Sequence, residues 1–545
     1  MGKVVGLCVL AVIWSLYFAG VFEGEVVNPG GWNLVRQFLV AAIHPNLSYE
    51  FLLLTCDATL KTFAYAVCGT FLSLAIAIVG GVFCSEVWWE AVLGMKFRLP
   101  WLALRAGLAI PRAIHELIWG LFFINIFGLD PLVAVLAIAI PFGAITSKVF
   151  SEILDETPPQ PLLALLGSGV SPLNAFIYSL IPQAKANLLS YAFYRFECSI
   201  RAAAVLGIIG AGGLGYQILL SLQSLRYEEM WTLLIALVLL SGVTDFASAV
   251  VRRQLGAPSR LDLNMVKNGQ TSRQTPGKGV PKWTTLLIVM AITFSFWYVN
   301  ADFSKLWTPR TGQLLVSVLQ AAFPPDYSQL SQIFRLCGQT LAMSILAIAF
   351  AGCGGIILSF LAANNFLLPG GILDTGNRNN RWWGITILVL TRFFLLFTRA
   401  IPAPIWALIF LFVLFPGILP GAIALGIHNL GILGRLMAEV TENLDERPLK
   451  SLKALGASGS QVFLYGVLPR TMPKFIAYIL YRWEVCIRAT VIVGLVGAGG
   501  LGRLLTEQLS SFDYPSVVAT LLCFICLTFV VDITSNTIRR MLYSG

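Results

Sequence analysis

The feature that most constrains this chain is a long internal repeat of apolar sequence. The stretch from Tyr194 to Gly215, YRFECSIRAAAVLGIIGAGGLG, returns at Tyr481 to Gly502 as YRWEVCIRATVIVGLVGAGGLG. Thirteen of the 22 positions are identical, at an offset of 287 residues. The repeat keeps two arginines and a glutamate inside apolar sequence, so it is more than a shared glycine spacing. An internal duplication of this kind predicts two similar halves.

The composition places the chain in a lipid bilayer. Of its 545 residues, 57% are hydrophobic and only 12% are charged, which is too apolar for a soluble domain of this length. The net charge of +10 does not indicate nucleic acid, because the basic residues are scattered among apolar runs and gathered in short loops. We expect a lipid environment and no nucleic-acid partner.

The apolar runs predict an all-α membrane protein with about 12 spanning helices, six in each half. The predicted spans are 4–22, 58–84, 101–128, 131–150, 184–209 and 230–251, then 283–299, 338–364, 383–415, 418–438, 471–496 and 515–537. A short amphipathic piece, Trp32 to Ile43, is expected to lie along the membrane interface. Because an even number of crossings separates equivalent points, the two repeats run parallel.

Charge and composition between the spans predict the domain organisation. The first repeat is 1–251, the second is 283–545, and the linker 252–282 carries seven basic residues and one acid. Its glycine, serine and proline content predicts a flexible segment. The positive-inside bias then places the linker and both termini in the cytoplasm.

The segments 151–183 and 439–470 repeat a second pattern. Each predicts a short helix, a glycine and a second short helix that ends at a proline, with Gly169 and Pro182 spaced as are Gly456 and Pro469. A glycine allows the backbone to turn sharply. An ordinary loop is the alternative, which the recurrence of the spacing disfavours. We expect both segments to be cytoplasmic.

Charged side chains fall within or near the spans of both halves. They are Arg105, Arg112, Arg195, Glu197 and Arg201, then Arg392, Arg399, Arg482, Glu484 and Arg488. A charge in a span costs at least about 2.5–3.5 kcal/mol and normally faces a partner or a water-filled cavity. The four-residue spacing predicts that each glutamate neutralises the last arginine of its own helix, which leaves Arg195 and Arg482 in excess.

Two interpretations of these arginines remain open. They could line an anion pathway, since a guanidinium group matches phosphoryl oxygens bidentately. They could instead hold helices together by satisfying backbone carbonyls or by reaching an interface. Arg112 and Arg399, expected near the middle of their helices, are the strongest candidates for a pathway.

The sequence GAGGLG follows a hydrophobic helix in both halves. Its glycines are Gly210, Gly212, Gly213 and Gly215, then Gly497, Gly499, Gly500 and Gly502. The match to a dinucleotide fingerprint is discarded, because no strand precedes it and no βαβ pattern surrounds it. We interpret the glycines as a hinge or gate at the external mouth, or as a site of close helix packing.

Nothing in the sequence predicts catalysis, a metal or a bound cofactor. No GxxxxGK[ST] motif is present for ATP hydrolysis, and His44, His115 and His428 have no metal-ligand spacing. The pair Cys523 and Cys526 lies inside an apolar run without a second pair. Cys56 and Cys337 occupy equivalent places in the two halves, where two buried thiols are preferred over a disulfide.

These motifs carry a family resemblance. The glycine and the proline of segments 151–183 and 439–470 resemble the EAA loop of ABC-importer permeases. The repeated YRxExxIRAxxxxGxxGAGGLG, with Arg-Ala-Ile seven residues before a tryptophan, resembles the phosphonate-importer permeases; the pairs are Arg112 with Trp119 and Arg399 with Trp406. The glutamate that names the loop is replaced by Leu163 and Lys450, so its salt bridge to the ATPase is absent or rearranged.

The resemblance implies two type-I permease units fused in one chain of the bacterial inner membrane. Two copies of an ATPase, which hold ATP and Mg, would dock on the cytoplasmic side, and an extracytoplasmic binding protein would deliver a phosphonate or related phosphorus oxyanion. The docking residues would be Leu165, Gly169, Pro182, Lys450, Leu452, Gly456 and Pro469.

Three other functions are alternatives. One is a permease for another small solute, such as an amino acid. A second is an ion-coupled transporter, which would need acids unpaired in the membrane. The third is an intramembrane enzyme, for which no nucleophile and base repeat.

Overall fold

The computed structural model describes residues 2–22, 26–94, 99–254, 282–368 and 378–543, and these are overwhelmingly helical. The helices of the first half are α1 (Gly2–Phe18), α2 (Gly31–Ala41), α3 (Tyr49–Cys84), α4 (Leu99–Ala113), α5 (Glu116–Phe127), α6 (Pro131–Glu156), α7 (Gln160–Gly167), α8 (Pro172–Ala175), α9 (Ile181–Leu206), α10 (Gly213–Gln223) and α11 (Tyr227–Gln254). The amphipathic piece predicted at 32–43 is α2, which confirms it as a helix.

The second half repeats this order. Its helices are α12 (Lys282–Val299), α13 (Pro309–Ala321), α14 (Leu330–Ala362), α15 (Asn364–Leu367), α16 (Arg378–Ala400), α17 (Ala403–Val413), α18 (Ile418–Glu442), α19 (Glu446–Ala454), α20 (Gly459–Gln461), α21 (Leu468–Leu495), α22 (Gly500–Ser510) and α23 (Tyr514–Tyr543). Most of the predicted linker, residues 255–281, lies outside the described residues.

Within the described part of the chain, seven helices are long and apolar enough to cross a membrane. They are α3, α6, α11, α14, α16, α18 and α23. Three bent helix pairs raise the number to ten, and the shorter apolar helices Val9–Phe18 and Thr284–Val299 account for the first predicted span of each half. The all-α membrane fold with two repeats is therefore confirmed.

The spans predicted at 101–128 and 383–415 are each broken in two, which corrects the expectation of continuous helices. Helices α4 and α5 meet at 84°. Between them His115 is extended, and its ring accepts a hydrogen bond of 3.3 Å from the Leu117 N–H at the start of α5. In the second half Pro402 is extended and precedes α17, and it has no N–H with which to continue α16. Because the residues on both sides of each break are apolar, hydropathy alone does not predict the breaks.

The chain forms two compact units that do not coincide with the sequence halves. The first-half unit contains residues 44–317, and the second-half unit contains 1–43 together with 318–545. The opening helix of each half thus packs in the unit of the other half, α1 against α14 and α12 against α3. The boundaries predicted at 1–251 and 283–545 describe the repeat in sequence but not the compact units.

Polar contacts anchor the exchanged helix α12 in the first-half unit. The Tyr298 hydroxyl donates to Asp57 Oδ1 at 2.5 Å. Just beyond α12, Lys305 pairs with Asp130, whose other oxygen accepts from the Leu132 N–H at the start of α6. This hydrogen bond to Asp130 holds the pKa of Lys305 above its usual range. The segment after α12 is therefore fixed to the beginning of α6.

Glycines allow the longest helix of each unit to pack closely against a neighbouring helix. A Cβ at Gly80 of α3 would lie 2.4 Å from Ser147 Oγ of α6. A Cβ at Gly354 of α14 would lie 2.5 Å from Leu430 Cδ1 of α18. Apolar lipid offers no hydrophobic drive for helix association, so such close backbone packing supplies much of the stabilisation.

The two segments with the glycine–proline spacing form what we call the connectors, Gln160–Leu180 and Glu446–Val467. The short first helix and the glycine turn are confirmed, with φ of +85° at Gly169 and +87° at Gly456. The second helix does not end at the proline, which corrects the prediction. A π turn runs directly into α9 or α21, with Pro182 or Pro469 in the first helical turn, where a missing N–H is tolerated.

Candidate functional site

Arg105 and Arg112 lie on α4, two turns apart, and Arg392 and Arg399 lie in the same way on α16. The second arginine of each pair occupies the last turn before the helix break, not the middle of a span. The break explains the Arg-Ala-Ile motif that begins with Arg112 or Arg399. In both halves, Arg-Ala-Ile leads the chain out of one helix and into the next.

Side chains satisfy the carbonyl groups that each break leaves without helical partners. The Trp119 indole donates to the Pro111 carbonyl at 3.4 Å, and the Trp406 indole donates to the Thr398 carbonyl at 3.3 Å. The tryptophan seven residues after the arginine therefore closes the bend in both halves. In the second half, His428 Nδ1 also lies 3.0 Å from the Ile401 carbonyl oxygen.

Arg105 and Arg392 make equivalent contacts at one end of the spanning region. Arg105 Nε donates to the last carbonyl of α3, at Cys84, over 2.9 Å, and Nη2 pairs with Asp155 at 3.1 Å. Arg392 Nε donates to the Ala362 carbonyl at the end of α14, over 2.9 Å, and Nη2 pairs with Glu442 at 2.5 Å. These contacts match the helix-linking interpretation.

The predicted pairing of each glutamate with the arginine four residues later is wrong. In the second half, Arg539 Nη2 lies 2.5 Å from Glu484 Oε1, and Arg488 lies 3.2 Å from Asp532. Both partners come from α23. Helix α23 packs against α21 and brings these partners close to Glu484 and Arg488, which the spacing within α21 alone does not indicate.

The first half repeats this arrangement. Arg252 of α11 lies 3.4 Å from Glu197, and Asp245 of the same helix interacts electrostatically with Arg201. Arg252 and Arg539 are 287 residues apart, and so are Asp245 and Asp532. In each half, two charges on α9 or α21 thus face two opposite charges on the last helix of that half.

Arg195 and Arg482 contact uncharged oxygens. Arg195 Nε and Nη2 both donate to the Tyr191 hydroxyl, over 3.1 and 2.7 Å, and its guanidinium lies 5.2 Å from the centre of the Phe142 ring. Arg482 Nε and Nη2 both donate to Asn429 Oδ1, over 3.0 and 2.5 Å. Asn429 occupies the position equivalent to Phe142, so the two halves differ here.

The GAGGLG sequences form sharp turns between two helices in each half. The bend is 57° in the first half and 52° in the second. Gly210, Gly212 and Gly213 have φ between +76° and +102°, and Gly497, Gly499 and Gly500 have φ between +72° and +96°. Gly215 and Gly502 have a different reason to be glycine. A Cβ at Gly215 would lie 1.8 Å from the Ala204 carbonyl oxygen, and one at Gly502 would lie 2.6 Å from that of Val491.

One threonine holds each glycine turn against the first long helix of its unit. The Thr62 hydroxyl accepts from the Leu214 N–H at 2.8 Å, and the Thr340 hydroxyl accepts from the Leu501 N–H at 2.9 Å. These threonines are offset by 278 residues and not by 287. By that register Cys56 corresponds to Phe334, so the expected equivalence of Cys56 and Cys337 is wrong.

Both of those cysteines are free thiols, but Cys56 is exposed and Cys337 is only partly buried, which corrects the expectation that both are buried.

The connectors present apolar side chains to the outside of each unit. Leu163, Ile177 and Tyr178 are 56%, 45% and 76% exposed in the first connector. Leu455, Leu464 and Tyr465 are 85%, 52% and 76% exposed in the second. Of the predicted docking residues, Leu165 and Leu452 are only partly exposed, whereas Gly169, Pro182, Lys450, Gly456 and Pro469 lie on the exposed surface.

The sequence carries a signal for several contact residues that the sequence analysis does not name. Asp155 with Glu442, Asp245 with Asp532, and Arg252 with Arg539 all repeat at the offset of 287 residues. A search for charges over the whole repeat would have found them. Thr62 and Thr340 give no such signal, since their register differs, and Asn429 gives none because its counterpart is a phenylalanine.

Comparison with known proteins covers both halves of the chain. The family model described as binding-protein-dependent transport system inner membrane component matches residues 91–256 and again 355–541. Each match begins before the helix break and reaches the last helix of its half. It therefore contains one complete set of the arginines, the connector and the glycine turn.

Individual proteins agree with the family match. The phosphate-import permease protein PhnE of Mycolicibacterium smegmatis is 27% identical over 445 residues, which are 80% of this chain and 77% of PhnE. The phosphite transport system permease protein PtxC of Stutzerimonas stutzeri is 31% identical over 52% of this chain and 98% of PtxC. A solved inward-facing structure of the MetNI methionine ABC transporter covers 38% of this chain and 98% of its own, at 21% identity and a TM-score of 0.35.

Proposed function

Because the chain belongs to the family of binding-protein-dependent transport system inner membrane components, we propose that it is the permease of an ATP-driven importer for a phosphorus oxyanion. The observation that carries this proposal is the double family match together with relatives named for phosphate and phosphite. The substrate class is a phosphonate, phosphite or phosphate. Each is an anion with oxygens that a guanidinium group can bind in pairs.

Energy for transport would come from partner proteins. The chain is a permease component, so ATP and Mg would be held by two ATPase subunits docked on the connectors. The exposed Leu163, Tyr178, Leu455 and Tyr465 support this docking, because apolar side chains projecting from a short helix fit a groove on a partner. A binding protein would deliver the substrate from the opposite face of the membrane.

The proposed orientation places both connectors, residues 252–282 and both termini in the cytoplasm of a bacterium, with the chain in the inner membrane. The seven basic residues of 252–282 support it. A cysteine introduced at exposed Ser460 should react with a membrane-impermeant thiol reagent only after the cells are permeabilised. Reaction in intact cells would reverse the orientation.

The charged residues would divide between two roles in this proposal. Arg105 and Arg392 would fix the ends of α3 and α14, as their carbonyl contacts suggest. Arg112, Arg399, Arg195 and Arg482 would give the transport path a positive potential that favours anions without binding them tightly, since tight binding slows release. The other pathway candidates, Glu197, Arg201, Glu484 and Arg488, would hold the last helix of each half. The glycine turns would act as hinges for alternating access.

Uptake measurements test the proposal. Cells of the source strain that lack this chain should lose ATP-dependent uptake of radiolabelled phosphate, phosphite or methylphosphonate, and the restored gene should return it. Methionine uptake is the control for an amino-acid permease. Unchanged uptake of all three phosphorus compounds in the deletion strain, or loss of methionine uptake alone, would refute the proposed substrate class.

A further inference from the structure

The arginines inside the spanning helices differ in the oxygen that faces them. Arg392, Arg488 and Arg539 each meet a carboxylate. Arg482 instead meets the amide oxygen of Asn429 and takes part in no ion pair with any described residue. Asn429 is 1% exposed, so this neutral contact is inside the protein. Arg482 therefore keeps a positive charge that its partner does not cancel.

The contact uses the edge of the guanidinium group that binds anions. A guanidinium group offers Nε and one Nη side by side, and this edge is the one that carboxylates and phosphoryl groups bind with two parallel hydrogen bonds. Arg482 directs both atoms of this edge to one oxygen, Asn429 Oδ1, at 3.0 and 2.5 Å. One shared neutral oxygen gives weaker bonds than two oxygens of an anion. An oxyanion that reaches this edge can displace the amide.

The first-half unit shows the same geometry with a different residue. Arg195 directs Nε and Nη2 to the Tyr191 hydroxyl, over 3.1 and 2.7 Å. The tyrosine recurs in the second half as Tyr478, but there the acceptor is Asn429, at the position of Phe142. Two unrelated side chains thus place a neutral oxygen at the same edge of equivalent arginines.

We propose that Arg482 forms an oxyanion subsite of the transport path, and that Asn429 is its positioning residue, which occupies the arginine's binding edge until an oxyanion displaces it. This inference rests on the proposed function and names a contact for its substrate. The amide orients the guanidinium between transport events and leaves its charge available. A carboxylate at residue 429 would hold the arginine permanently.

The near-isosteric change Asn429→Asp is the sharpest test. A carboxylate should form a charge-assisted pair with Arg482 and compete with the substrate, so phosphite uptake should fall at least about tenfold. The amount and thermal stability of the membrane-inserted protein should not fall, because the new pair strengthens the contact. Asn443→Asp adds the same charge at an exposed residue just past the end of α18 and should leave uptake unchanged.

Direct binding separates positioning from a purely structural role. Millimolar phosphite should raise the unfolding midpoint of the purified wild-type chain by about 1 to 2 °C, and it should not do so for Asn429→Asp. Asn429→Ala removes the competing oxygen, so its shift with phosphite should be larger than that of the wild type. Chloride at equal ionic strength is the reference for both.

The outcomes distinguish this inference from the proposed function. If wild-type cells take up no phosphorus oxyanion, the proposed function fails. If they do, but Asn429→Asp retains full uptake and the same stabilisation by phosphite, only the subsite is wrong. If Asn429→Asp does not fold, the larger stabilisation of Asn429→Ala by phosphite still decides, and an unchanged or smaller shift would overturn the inference.

Discussion

Single residues in this protein connect helices that the sequence separates widely. Thr62 and Thr340 are the simplest case, since each hydroxyl accepts from the first turn of the helix that follows a glycine sequence. Each hydroxyl also donates to a carbonyl of its own helix, over 3.0 and 2.8 Å. A side chain with both roles can hold a turn in place without strain.

Replacing these threonines by valine should destabilise the glycine turns. Thr340→Val keeps the side-chain shape but leaves the buried Leu501 N–H without its acceptor, which costs about 1–3 kcal/mol. We expect a lower thermal midpoint and slower uptake. Thr59→Val is the matched control, because the Thr59 hydroxyl donates to the Thr55 carbonyl within its own helix. Equal stability of Thr340→Val and Thr59→Val would show that the bond is unimportant.

Arg392 should prove to be a structural residue. Arg392→Gln would remove both the ion pair of Glu442 and the donor to the Ala362 carbonyl, so we expect a loss of folded protein in the membrane before any change in transport per molecule. Arg503→Gln, which breaks an exposed pair with Glu507, should have no such effect. Normal protein amounts with depressed uptake would instead assign Arg392 to the pathway.

At the scale of helices and turns, the connectors depend on one backbone conformation each. Gly456 has φ of +87°, and nothing lies within 4 Å of a Cβ added there. The requirement is therefore conformational, not steric. Asparagine adopts positive φ more readily than β-branched residues do.

We expect Gly456→Asn to retain transport and Gly456→Val to reduce it sharply. The valine variant should still insert in the membrane, because the turn lies outside the spanning helices, but its connector should present the wrong surface to an ATPase. Co-purification with the ATPase and uptake would be measured for both variants. If valine and asparagine behave alike, the positive φ has no role in docking.

Sequence alone predicted the elements better than the contacts between them. Apolar runs located the spanning helices, and the repeat identified Gly456 and its counterpart Gly169 as turn residues. The break before Pro402 escaped notice because the residues on both sides of it remain apolar. The partner of Glu484 also escaped, since the choice between Arg488 and Arg539 depends on how α21 and α23 pack.

At the scale of the whole molecule, the exchange of opening helices means that the linker joins two helices of the same unit. Helices α11 and α12, which flank residues 255–281, both belong to the first-half unit. The chain passes from one unit to the other near residues 43 and 317 instead. PtxC matches 52% of this chain with 98% of its own length, so a single half exists as a separate protein.

A chain cut within residues 255–281 should therefore remain functional. Fragments 1–266 and 267–545, produced together, should co-purify and restore uptake to at least about half of the intact level, because the exchanged helices contribute membrane packing that does not require the peptide link. Removal of residues 1–43 from the first fragment should weaken assembly, since it removes α1 from α14 and leaves α12 on α3 to join the fragments. Failure of the intact fragments to associate would show that the covalent connection is essential.

The exchange also sets an order for synthesis. Helix α1 leaves the ribosome well before its partner α14, which begins at Leu330, about 300 residues later. At roughly 5–20 residues per second, the new helix waits some 15 to 60 seconds in the membrane before its binding surface exists. The second-half unit is thus started before the first-half unit and completed after it.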